Sequence, residues 1–339
     1  MREITYREAI TEAIDEEMAR DPAVFLMGED VRVWGAPLGE FKGLFEKYGP
    51  ERVKDTPIAE TAIMGAAVGA AQTGVRPIAN IMFCEFLAVC MGEIMNALCK
   101  SRYIAGANVP MPVTIMSYSG AGIHGAAGHS SRLDGLLMSV VGLKLITPAT
   151  PYDVKGLIKS AIRDDDPVVC CYHTLLIAND LKGEVPAEEY TIPLGKADIK
   201  RNGSDVTVVA TSLMVHRALA AAEKLQEKGI SIEVIDPRTL VPLDEQAIIK
   251  SVEKTGRLVI MDEEAKTGSA ASEIAAVVAE EAFDLLKAPI KRVCAPNTPI
   301  PFCPPLEQIW IPDEEDLIKA VTEVTQSRPS FPGPNDWEL

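Results

Sequence analysis

Residues Asp205–Asp236 read DVTVVATSLMVHRALAAAEKLQEKGISIEVID. The β-branched run Asp205–Thr211 predicts a buried strand. From Met214 to Lys228 the apolar residues fall at helical spacing, and Gly229 stops the helix. Ile230–Asp236 is a strand again. A strand, a helix and a strand in quick succession make a crossover unit, the building block of a parallel α/β sheet.

The same alternation extends in both directions. Downstream it continues with a helix over 243–254, a strand over 257–263, a helix over 270–286 and a strand over 289–293. Upstream, Ala9, Ile10, Ala13, Ile14 and Met18 share one helix face. Strands are expected at 24–28, 77–83, 111–118, 143–147 and 167–172, with helices over 61–73, 86–102 and 151–163. Between Asn179 and Ser204 the text turns polar and rich in Pro and Gly. The expected division is therefore an α/β domain over 1–178, a linker over 179–204 with room for a strand, a second α/β domain over 205–326 and a loose tail over 327–339.

A length of 339 residues fits two domains. The net charge of −16 argues against non-specific nucleic-acid binding, which needs a basic footprint. The seven cysteines form no CxxC pair and sit in apolar text, as reduced thiols do. The acidic N-terminus MREITYREAITEAIDEEMARD lacks the apolar core of a secretory signal, and the expectation is a cytoplasmic chain.

The stretch Ser119–Arg132, SGAGIHGAAGHSSR, carries two of the four histidines. GAGIHG matches the dinucleotide pattern G-x-G-x-x-G after a strand. The helix and the acidic residue about 20 positions on that an NAD site requires are missing. A flexible loop with solvated histidines is the other local reading.

Further segments carry a family resemblance. KDTPIAE (54–60) runs into the small-residue helix TAIMGAAVGAA, and GLIKSAIRDDDPV (156–168) leads into a strand. VIDPRTLVPLD (234–244) precedes VEKTGRLVIMDE. With GEDV (28–31), GVRPI (74–78) and GHS (128–130), these resemble the β subunits of thiamine-diphosphate-dependent 2-oxo acid dehydrogenase E1 components, from Arg2 to Val324. That family includes pyruvate, branched-chain and acetoin types.

The resemblance implies a pyrimidine-binding α/β domain followed by a transketolase C-terminal-type domain. It implies an α2β2 assembly in which an α subunit holds the diphosphate and Mg2+ through a GDG motif that this chain lacks. A lipoyl-bearing E2 acyltransferase then accepts the acyl unit. Glu60 matches the glutamate that hydrogen-bonds N1′ of the aminopyrimidine, and its apolar surroundings would desolvate it. Glu29 and Phe86 match cofactor-binding positions. His129 matches the active-site histidine, although Gly128 stands where relatives have Gln. His124 falls off the motif. Asp164 and Asp166, with the main-chain oxygens of Val113, Ala161 and Ile162, match a potassium site in some relatives, and hard cations take oxygen ligands. Asn80 stands where relatives commonly carry Glu.

YTIPLG (190–195), MVH (214–216) and NTPIPF (297–302) lie nearest the acetoin type. The expected activity is cleavage of a C–C bond in pyruvate, another 2-oxo acid or acetoin, with the acyl unit passing to lipoamide. The competing readings are an NAD-binding oxidoreductase using GAGIHG and a non-catalytic assembly subunit of the same fold.

Overall fold

The structure is a computed structural model and describes residues 1–106 and 109–326. The tail expected over 327–339 lies outside the described residues. In chain order the strands are β1 (Arg2–Thr5), β2 (Val24–Glu29), β3 (Val53–Thr56), β4 (Arg76–Phe83), β5 (Thr114–Ser119), β6 (Lys144–Ile146) and β7 (Val168–His173). Then follow β8 (Lys182–Val185), β9 (Asp198–Arg201), β10 (Val206–Ala210), β11 (Ile232–Asp236), β12 (Thr239–Val241), β13 (Leu258–Ala265) and β14 (Lys291–Ala295).

Two sheets carry the fold. The first runs β12-β6-β7-β5-β4-β2-β3, parallel except for β12 on its edge. The second runs β14-β13-β10-β11-β9, parallel except for β9. The crossover unit Asp205–Asp236 forms as expected: helix Leu213–Glu227 returns the chain so that β10 and β11 pair in parallel. Each sheet is apolar on both faces because helices cover both, as a parallel sheet requires.

The segment expected as a linker holds two strands. β8 pairs antiparallel with β1, and β9 joins the second sheet. The short β12 leaves the second sheet's neighbourhood and pairs with β6 of the first. The helix expected over 86–102 is broken into Cys84–Leu87, a wide π turn at Glu93–Leu98 and Ser101–Ile104. Its apolar text comes from burying Cys84, Leu87, Ile94 and Leu98 along an irregular path, so composition alone suggested a regular helix. The helix expected to run to 286 stops at Glu281, and helices Pro304–Trp310 and Glu314–Gln326 complete the second layer.

Candidate active site

Glu29 ends β2, Thr56 ends β3, and Glu60 opens helix Glu60–Gln72 directly after β3. These positions lie at the carboxyl edge of the first sheet, where open α/β sheets bind ligands. Glu29 is held above its ordinary pKa, first by burial and then by the charges of Asp30, Glu60 and Asp55. The two expected cofactor carboxylates are therefore electrostatic neighbours. Glu60 itself is only half-buried, so the desolvation expected of it is incomplete in the lone chain. Ile58, two residues before it, is 73% exposed, which leaves apolar surface for another chain to cover.

The end of β4 brings in the aromatic residues. Its pairing with β5 slips between Asn80 and Phe83, and Met82 takes φ +44°. A bulge of this kind re-aims the side chains that follow it. Phe83 and Phe86 both meet the His129 ring edge-on, with centroids 4.8 and 5.4 Å away. Phe86 and His129, read separately from sequence, are thus in contact, and Phe83 completes the enclosure. Thr61 Oγ1 donates to Val89 O (3.3 Å), tying the Glu60 helix to the segment after Phe86. Asn80 is fully buried opposite Gly28, and neither end of its side-chain amide has a hydrogen-bond partner.

The glycine-rich loop is held by carboxylates from three distant elements. Ala121 N donates to Glu263 Oε1 (2.7 Å), and Gly122 N donates to Glu307 Oε1 (2.8 Å). Ser130 N and Ser131 N both donate to Glu85 Oε1, the former over 2.8 Å. These backbone donors face protein anions and are not free for a pyrophosphate. A Cβ on Gly120 would stand 2.0 Å from His173 Nε2, and one on Gly122 would stand 2.4 Å from Leu175 Cδ1. The glycines of GAGIHG are there for close packing, which removes the NAD reading. Around Gly128, by contrast, a Cβ would meet nothing within 4 Å, so its space does not require glycine.

The two histidines differ in their roles. His124 takes φ +62°, and its Nδ1 lies 2.7 Å from Oε2 of the fully buried Glu307. It fastens the loop to helix Pro304–Trp310. His129 is exposed on one side and faces the aromatic pair on the other.

Of the expected potassium ligands, Asp164 and Asp166 share the turn after helix Pro151–Arg163, with positive charge already beside them. Lys144 Nζ lies 2.8 Å from both oxygens of Asp164 and 3.2 Å from Asp166 Oδ2, and Arg102 also pairs with Asp166. Arg76 Nη1 donates to Ile162 O and Asp164 O. Val113 O accepts from Val168 N, and Ala161 O from Asp164 N. Asp164 and Asp166 thus already face protein cations. The Lys144 ammonium is held above its ordinary pKa: burial opposes this, and hydrogen bonds to Asp164 and Asp166 outweigh it.

Sequence reading missed Glu85, His173, Glu263 and Glu307. His173 Nδ1 accepts from Leu175 N, so Nε2 carries the proton and donates to Glu263 Oε2 (2.6 Å). Both side chains are fully buried at the root of the loop. The available signal was Asp262-Glu263-Glu264, three acids ending an apolar strand. Asp262 and Glu264 form a second buried group with Asp134, which pairs with Arg132 over 2.9 Å. The Glu264 carboxyl is pushed up to about 9 by burial and by the charges of Asp134 and Asp262.

A cavity of about 520 Å3 lined by Gly135, Met138, Leu240, Pro242, Ser269 and Val277 contains none of Glu60, Phe86 and His129. Glu60 and Phe86 are half-buried and His129 is exposed. The pyrimidine half of thiamine diphosphate is fitted here by a carboxyl at a helix start and an aromatic face. The diphosphate half is not, because the loop amides are occupied and no GDG is present.

Residues 2–178 match the transketolase pyrimidine-binding domain and residues 195–317 the transketolase C-terminal domain. The β subunit of acetoin:2,6-dichlorophenolindophenol oxidoreductase from Cupriavidus necator is 47% identical, over 94% of this chain and 96% of that one. The Bacillus subtilis protein of the same name is also 47% identical, over 95% and 97%. A solved structure described as a split-gene transketolase in an inactive β4 tetramer superposes with a TM-score of 0.79 at 25% identity, over 96% of this chain and 99% of that one. The chain therefore belongs to the transketolase-like β subunits of the thiamine-diphosphate-dependent acetoin and 2-oxo acid dehydrogenases.

Proposed function

We propose that this chain is the β half of an E1 component that cleaves acetoin, with pyruvate and branched-chain 2-oxo acids as the alternative substrates, and passes the acyl unit to the lipoyl group of an E2 acyltransferase. The observation that carries this reading is the convergence of Glu29, Glu60, Phe86 and His129 at one sheet edge. Thiamine diphosphate, when bound, supplies the nucleophilic carbon and accepts the electrons of the broken C–C bond. Glu60 holds a proton at ring nitrogen N1′. Phe86 packs against the ring. His129, kept upright between Phe83 and Phe86, moves a proton at the substrate oxygen.

An α partner holds Mg2+ and the diphosphate and forms the other wall. The exposed small face of helix Glu60–Gln72, made of Ala62, Gly65, Ala66 and Gly69, supports close approach of a second chain. The two-domain division falls within 179–204, and the chain works in the cytoplasm. No helix of the described residues is long and apolar enough to cross a membrane. Potassium at Asp164 and Asp166 has weaker support, because Lys144 and Arg102 already balance those carboxylates.

The test is reconstitution with an E1 α subunit, assayed on acetoin, pyruvate and 2-oxoisovalerate with a dye acceptor. Turnover of acetoin dependent on thiamine diphosphate and on both chains is expected. No turnover of any of the three would overturn the reading.

A further inference from the structure

We infer that Glu85 is the positioning and selectivity residue of this site, and that it biases the site toward neutral 2-hydroxy ketones and against 2-oxo acids. The inference rests on the function proposed above and specifies its substrate class. Glu85 lies in the one-turn helix Cys84–Leu87, immediately after the bulge that ends β4. Cys84 and Leu87 are buried and anchor the turn, which leaves Glu85 and Phe86 facing the loop. The same turn therefore supplies an aromatic wall for the His129 ring and the acceptor for the two backbone amides that follow it.

Hydrogen bonds from N–H groups to an ionised carboxylate are about twice as strong as neutral ones. Two of them converge on Glu85 Oε1, so the backbone at Ser130 and Ser131 is held in one place. His129, one residue upstream, takes its position from them. The loop is strained here as well: His124 and Ala126 both take positive φ, a conformation that persists only when surroundings enforce it.

The second Glu85 oxygen decides the selectivity. Oε2 is buried and has no hydrogen-bond partner, and the same is true of Ser130 Oγ. No cationic side chain pairs with Glu85 among the described residues, in contrast with Asp134, Asp164 and Asp166, each of which faces an Arg or Lys. The Glu85 carboxylate, balanced only by two amides, lies on the turn that carries Phe86 and accepts from the backbone that follows His129, so its charge acts on that side of the site. A 2-oxo acid brings a second carboxylate toward that charge, whereas a 2-hydroxy ketone is neutral. Like charges in a partly desolvated site change affinity by about 10- to 100-fold.

The experiment compares wild type, E85Q, E85D and E85A in the complex with the α partner, measuring kcat and KM for acetoin and pyruvate, thiamine diphosphate affinity and thermal melting. Gln keeps an acceptor for the amides and removes the charge. E85Q should lower kcat/KM for acetoin by about 3-fold or more and raise it for pyruvate, so that the acetoin-to-pyruvate ratio falls about 10-fold or more. E85D should retain the wild-type preference. E85A, which loses the anchor, should lower kcat for both substrates by about 10-fold or more while cofactor affinity stays within about 3-fold. An unchanged ratio in a folded E85Q complex would overturn the inference while leaving the proposed function standing. So would a wild-type preference for pyruvate. A wild-type complex inactive on every substrate would overturn the function, and this inference with it.

Discussion

The loop 119–132 and the turn 163–166 solve opposite electrostatic problems in the same way. The loop presents backbone N–H groups, and carboxylates arrive from Glu85, Glu263 and Glu307 to accept them. The turn presents carboxylates, and Lys144, Arg102 and Arg76 arrive to balance them. Each has the local text of a ligand site, an anion cradle in one case and a cation site in the other. In each the chain supplies its own counter-charge from residues remote in sequence. The difference is in what remains: the loop leaves the His129 ring facing solvent, whereas the carboxylates of the turn are satisfied on the spot.

The largest effects should come from the loop and from Glu60, the carboxyl at the sheet edge. Glu60→Gln and His129→Ala in the reconstituted complex should each lower kcat by about 100-fold or more. His124→Ala should leave kcat within about 5-fold and cost about 1 kcal/mol of stability, read by denaturant unfolding, because it removes the hydrogen-bonded fastening to Glu307. If His124→Ala proves as damaging to turnover as His129→Ala, the distinction between the two histidines fails.

Next comes the packing of the loop root. Gly120→Ala should cost about 3 kcal/mol or more, since a Cβ would overlap the buried His173 ring at a positive φ. Gly128→Gln, where space is open, should change stability by less than about 0.5 kcal/mol. Equal costs at the two glycines would show that the loop is not held as described.

The turn should respond less. Lys144→Met should cost about 1–2 kcal/mol by leaving Asp164 and Asp166 under-compensated. Exchanging potassium for choline should leave the melting temperature of the wild-type chain unchanged. A clear rise in potassium would restore the ion-site reading.

The smallest effect is a pH slope. The Glu264 carboxyl sits at about 9 in the folded chain against 4.5 in the unfolded one, so the folded state keeps a proton that the unfolded state has lost. Its contribution is full below pH 4.5 and is lost as pH rises through about 9. Glu264→Gln should therefore flatten the fall in melting temperature between pH 6 and 9. A slope identical to wild type would count against the protonated carboxyl.

Much of the scaffold was legible because local pattern and packing agree. The alternation around Asp205–Asp236 required parallel strands, and helix Pro151–Arg163 forms over the residues its proline start and apolar spacing predicted. The segment 86–102 misled because apolar text does not distinguish a regular helix from an irregular one buried at Ile94 and Leu98. In the candidate site, Glu60, Phe86 and His129 were reachable by motif. Glu85 was not, because its meaning depends on two amides 45 and 46 residues away.

The sequence by itself determined the layered α/β architecture, the absence of a diphosphate motif and the candidate residues, since these depend on periodicity and on short local patterns. Only the tertiary structure decided which groups face GAGIHG and the Asp-rich turn. Electrostatic compensation acts through space, and the partners that fill both places, Glu263 and Glu307 for the loop and Lys144 for the turn, stand 20 to 185 residues away along the chain.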